Sequence, residues 1–138
     1  MEFQGLVLRQ VDGRGFYSRV HLTYEKTPDG SSLVTPALPK EDDWEKAQGW
    51  YDAAIQGAQL GLTLAESSGR CVITYLHGHN TCDTTPDRVA LAAVRAVWAA
   101  LSFPLSEVME QRIHDLILQT GNLTLLELEK ELRTILAA

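Results

Sequence analysis

The chain has 138 residues, enough for one domain that buries roughly two-thirds of its unfolded surface. Hydrophobic residues make up 45% of it, too many for a disordered chain, and no apolar run approaches the ~20 residues that cross a bilayer. The net charge of −6 argues against a broad phosphate-binding surface, though not against a small basic spot, and it also suits a basic protein partner.

The first ten residues carry an acid at position 2 and no basic region ahead of a short apolar stretch, so a secretory leader is not expected. Cys71 and Cys82 are too few for a disulfide framework and suit a reducing compartment, which makes the cytoplasm the expected location. The first clear element is a strand at about 16–25, with Val20, Leu22 and Tyr24 on one face and Arg19, His21 and Thr23 on the other. After the turn Thr27-Pro28-Asp29-Gly30, the short apolar piece Leu33-Val34 is expected to pair back as a second strand, ended by Pro36 and Pro39.

A helix follows at about 43–67, capped by Asp42 or Asp43, with Trp44, Ala47, Tyr51, Ala54, Ile55, Ala58 and Leu62 at helical spacing. Gly49, Gly57 and Gly61 each cost about 1 kcal/mol relative to Ala inside a helix. Close approach of the helix to the sheet is their expected reason. Gly69 closes that helix, and 70–76 reads as a buried strand with Cys71, Ile73 and Tyr75 on one face.

The polar loop 77–84 leads into Thr85-Pro86-Asp87, a helix start made of a cap, a first-turn proline and an acid near the dipole. This helix, 85–103, is apolar nearly all round and should be buried, with Val94, Trp98 and Leu101 in the core. Pro104 stops it. Two amphipathic stretches finish the chain: 106–120, with Met109, Ile113, Leu116 and Ile117 on one stripe, and a helix opened by the capping box Thr124-Leu125-Leu126-Glu127. The order β-β-α-β-α-α-α predicts an α+β two-layer sandwich, helices on one face of a small sheet, with a C-terminal helical hairpin over 104–138.

Three landmarks carry a family likeness over about residues 10–103. The run Gly13-Arg14-Gly15-Phe16-Tyr17 opens the first long strand, Ala53-Ala54-Ile55-Gln56-Gly57 lies in the first helix, and a loop bearing His79, Asn80 and Asp83 precedes the alanine-rich helix. Their order and spacing resemble domain IV of elongation factor G. The resemblance implies a ribosomal-protein-like βαβ crossover of the left hand, where general topology favours the right in ~98% of cases. It also implies that the loops 13–15 and 78–83 lie together at a tip that enters the ribosomal decoding site. The matching residues are Gly13, Arg14, Gly15, Gly78, His79, Asn80 and Asp83. The loop after Leu76 is one residue shorter than the family pattern, which puts the family histidine on Asn80. No Gly-x-x-x-x-Gly-Lys phosphate loop occurs, so no GTPase is expected in this sequence.

Read from the residues alone, the glycines serve turns and Asp83 caps backbone amides. His77, His79 and Cys82 have metal-ligand character, but no second pair closes a four-ligand site, and His114 lies in a distant helix. Histidine beside Cys82 also suits a nucleophile pair, yet no third orienting group is evident. No cofactor is expected. The expectation is therefore a non-enzymatic binding module, acting on ribosome or structured RNA, or on a protein, through its tip or its C-terminal helices. The alternative is a small enzyme or metal-binding protein using His77, His79, Cys82 and Asp83. The leucine stripe of the last helix is expected to serve a homodimer if the parent domain does not cover it.

Overall fold

The Asp12-Gly13 dipeptide sits between two runs of alternating polarity, and both residues take positive φ, 50° and 77°. Two central residues of that hand match the twist of a tight hairpin. Accordingly, strands β1 (Glu2–Val11) and β2 (Arg14–Glu25) pair antiparallel in one continuous register, with Leu8 opposite Tyr17 and Gly5 opposite Val20. Strand β1 was not among the sequence expectations. The protein, described here by a computed structural model over residues 1–38 and 48–137, has a four-stranded sheet in the order β1-β2-β4-β3.

Strand β3 (Ser32–Pro36) does not pair back on β2 as expected. It lies parallel to β4 (Gly69–His77), with Val34 beside Cys71. Helix α1 (Trp50–Leu64) joins these two strands as the crossover of a βαβ unit. Of the expected helix, 43–47 lies outside the described residues, along with Trp44, Ala47 and the Asp42 and Asp43 caps. Gly49, at φ 78°, precedes the first turn of α1. At the other end Glu66 takes φ 52°, and Gly69 belongs to β4 rather than closing the helix.

Helix α2 (Pro86–Leu101) packs beside α1 and over β1 and β2, while α1 covers β3 and β4. The glycines of α1 face α2 and not the sheet, a correction to the expectation. A Cβ on Gly57 would stand 2.3 Å from the Ala90 carbonyl oxygen, and one on Gly61 would stand 3.0 Å from Val97 Cβ. The two helices therefore touch backbone to backbone, and Trp98 Nε1 donates to the Gly61 carbonyl at 3.1 Å. Val89, Ala92, Ala93, Val94, Val97 and Trp98 are buried, whereas Leu101 is only half-buried. Helix α2 stops two residues sooner than expected. Ser102 turns left-handed, and the Phe103 amide donates to the Trp98 carbonyl at 2.9 Å.

Tyr75 is the other misplaced side chain. His21 pairs with Tyr75 but Leu22 pairs with Ile73, so Thr74 is an extra residue in β4. This bulge resets the alternation. Cys71, Ile73 and Leu76 are buried, and Tyr75 turns outward.

The tail forms helix α3 (Glu107–Leu116), a 3-10 turn (Ile117–Gln119) and helix α4 (Leu125–Leu136). The Thr124 capping box is formed: its hydroxyl accepts from the Glu127 amide at 3.1 Å, and the Glu127 carboxylate accepts from the Thr124 amide at 3.0 Å. Helix α4 rests against both α1 and α2, and Ile113, Leu116, Ile117, Leu128, Leu132 and Ile135 join the main core. The leucine stripe is thus seated on its own chain. Leu126, 76% exposed, lies outside that seat.

Candidate functional site

The β1–β2 turn and the loop between β4 and α2 meet at one end of the sheet. The Tyr17 amide donates to the Asp83 carbonyl at 2.9 Å, and the Thr84 hydroxyl donates to the Tyr17 carbonyl at 2.7 Å. A Cβ on Gly15 would stand 3.0 Å from the Asp83 carboxylate, so glycine there lets the acid lie flat on the strand.

The seven residues singled out from the family likeness divide by role. Gly15, His79 and Asp83 border one cavity of about 360 Å³, together with Leu8, Gln10 and Tyr17. Arg14 is exposed and does not border that cavity; its guanidinium carbon lies 5.3 Å from the Phe16 ring centre, the ring that Arg88 also covers. Gly13 supplies the left-handed turn and has open space around it. Gly78 and Asn80 build the loop instead of facing the cavity. A Cβ on Gly78 would stand 2.7 Å from the Trp50 ring, and Asn80 Oδ1 accepts from the Cys82 and Asp83 amides, both at 2.9 Å.

Rings line the tip. His79 stacks on Tyr17 with centroids 4.1 Å apart and planes within 10°. The Tyr17 hydroxyl lies 2.7 Å from His77 Nδ1. Burial, helped by the charges of His79 and Arg19, lowers the pKa of His77 below its ordinary value. Burial likewise raises that of Tyr17, with Arg19 opposing. His79 Nδ1 stands 3.7 Å from Asp83 Oδ2.

Among the described residues, no three His, Cys, Asp or Glu side chains gather in a way that could hold a metal. Among them, too, no hydrogen bond joins Cys82, which is exposed, to His77 or His79. His114 is on α3, where its carbonyl accepts from Arg9 at 2.7 Å. Cys71 is buried, and that burial pushes its thiol up to about 11. The cavity thus offers stacking faces and a carboxylate, with an exposed guanidinium at the same end of the sheet.

Arg88 was missed in the sequence. Only 3% exposed, it lies 4.4 Å over the Phe16 ring and donates from Nη1 to the carbonyls of Cys82 and Asp83. From Nε and Nη2 it donates to the hydroxyl and carbonyl of Thr120. Its neighbour Asp87 accepts from the amides of Gly121 and Leu123 at 2.6 and 3.1 Å. Two adjacent opposite charges in the first turn of a largely apolar helix were the available signal, since charges are buried only when paired or hydrogen-bonded.

No protein-family model and no curated protein matches the chain. Among solved structures, the crystal structure of ttk003000868 from Thermus thermophilus is similar, with a TM-score of 0.50 and 18% identity. The match covers 70% of this chain and 14% of that one, and the likeness is one of fold.

Proposed function

We propose that this protein is a non-enzymatic binding module of the elongation factor G domain IV kind, which docks on ribosomal or other structured RNA through its tip. The observation that carries the reading is the lacing of the two tip loops through Tyr17, Asp83 and Thr84, which puts the Tyr17–His79 stack at the hairpin end of the sheet, the end where the exposed Arg14 opens β2. Guanidinium for phosphate and a ring for a base are the two groups RNA recognition needs at close quarters.

The hairpin end mixes Arg14 and Arg19 with Asp12 and Asp83, and Arg9 is engaged by the His114 carbonyl and Asp115 on α3, so Arg14 is an exposed cation offered to a phosphate there.

The test is binding of a structured RNA at several salt concentrations. Arg14→Glu should weaken binding to all sequences and lower the logarithmic salt slope by about 1, the signature of a lost phosphate contact. An unchanged slope contradicts the assignment.

A protein partner on the C-terminal helices is the second reading. It is favoured by Leu126, which stands exposed next to Glu127 and near Glu129 and Glu131. A basic partner, or a second copy of the chain for a homodimer, would cover that side chain. The cytoplasm is the compartment in which either reading operates.

A further inference from the structure

The tip cavity holds an acceptor without a donor. The Asp83 carboxylate is 30% exposed, and among the described residues nothing donates a hydrogen bond to it; His79 Nδ1 stands 3.7 Å away. Its place is fixed by the backbone, because Tyr17 and Arg88 both donate to its carbonyl and Gly15 gives it room. Half of the His79 side chain is exposed while the ring stacks on Tyr17, which leaves one ring face outward. Leu8, the cross-strand partner of Tyr17, is 57% exposed and supplies an apolar contact at the same cavity.

A fixed carboxylate accepts two parallel N–H donors. Among the nucleobases, guanine presents such a pair, N1–H and N2–H, on its Watson–Crick edge. Adenine sets a donor beside an acceptor, and inosine lacks the 2-amino group. The cavity, about 360 Å³, lies at the small end of ligand pockets, about 300–1,000 Å³, with room for one nucleoside. We propose that this cavity takes a single unpaired guanine of an RNA strand, stacked on the outer face of His79, with its Watson–Crick edge on Asp83. The proposal rests on the RNA reading above and names what the tip selects.

The experiment measures fluorescence anisotropy of the full chain with short oligouridines carrying one central guanosine, inosine or adenosine, beside a structured RNA. The guanosine strand should bind at least about fivefold more tightly than the inosine strand, the low end for a bidentate base contact. Asp83→Asn, which keeps shape and backbone contacts, should erase that preference with an unchanged melting temperature. His79→Ala should weaken the guanosine and adenosine strands alike by at least about fivefold, the low end for one lost stack. Equal binding of guanosine and inosine strands, or a preference that survives Asp83→Asn, overturns the guanine site while structured-RNA binding still stands. Failure to bind any of these RNAs overturns the RNA reading itself.

Discussion

Arg88 and Thr120, thirty-two positions apart, are joined by two hydrogen bonds of 2.9 Å, from Nε to the hydroxyl and from Nη2 to the carbonyl. The remaining terminal nitrogen holds the Cys82 and Asp83 carbonyls, so one guanidinium ties the end of the tail's first helix to the tip loop. Arg88→Ala takes this donor from the Thr120 hydroxyl and carbonyl and from the Cys82 carbonyl, while the Asp83 carbonyl keeps the Tyr17 amide. It should cost about 3 kcal/mol or more in chemical denaturation, since each charge-assisted bond contributes about 1.5–3 kcal/mol. Arg88→Lys should also destabilise, because an ammonium cannot reproduce the planar fork. A loss under about 1 kcal/mol for alanine, less than one such bond, would show that the tie is incidental.

The contact between α1 and α2 depends on glycine. In a free helix Gly57→Ala would stabilise by about 1 kcal/mol through backbone entropy. Here the new Cβ would meet the Ala90 carbonyl oxygen at 2.3 Å, and forcing the helices apart costs about 1–3 kcal/mol. The clash should win and the melting temperature should fall. A rise would mean that the helices separate freely.

Deleting the chain after Pro104 removes six core side chains, Ile113, Leu116, Ile117, Leu128, Leu132 and Ile135. At about 1.5–3 kcal/mol each, their burial is comparable with the whole stability of a domain, about 5–15 kcal/mol. The truncated chain should lose cooperative unfolding in circular dichroism. A folded truncation product would show that the tail is an accessory, and would return its leucine stripe to a partner.

His77 gives the stability a pH dependence whose sign is fixed by its lowered pKa. The unfolded chain takes up the proton first, so stability is full above the ordinary histidine value of about 6.5 and declines as pH falls below it. Tyr17 lies against Nδ1, and His79 and Arg19 repel the added charge. Melting temperature followed through this range should drop more steeply for the wild type than for His77→Gln. Parallel curves would remove His77 from the account.

The sheet-and-helix architecture was legible because its signals are local: alternation in β2, the Thr85-Pro86-Asp87 start and the Thr124 box each declare one element. Pairing was less so. Leu33-Val34 looks alike whether it joins β2 or β4, and only the crossover through α1 decides. The Asp12-Gly13 turn is a hairpin signal that implies a strand before it as well as after it. Tyr75 failed because an inserted residue changes the period without changing composition. At the tip, the family likeness points to His79 and Asp83, whereas Leu8 and Gln10 come from β1, which carries none of its landmarks. Arg88 needed the tertiary fold, since its acceptors lie in two distant loops.

The central claim is that the tip binds RNA without catalysis, and co-sedimentation of the full chain with purified ribosomes tests it most directly. The account predicts saturable binding by the wild type that weakens as salt rises, is lost in an Arg14→Glu, His79→Ala double variant with an unchanged melting temperature, and survives Leu126→Ser on α4. Binding that the double variant keeps and Leu126→Ser abolishes would place the interface on the tail, and no binding at all would contradict the ribosomal form of the claim.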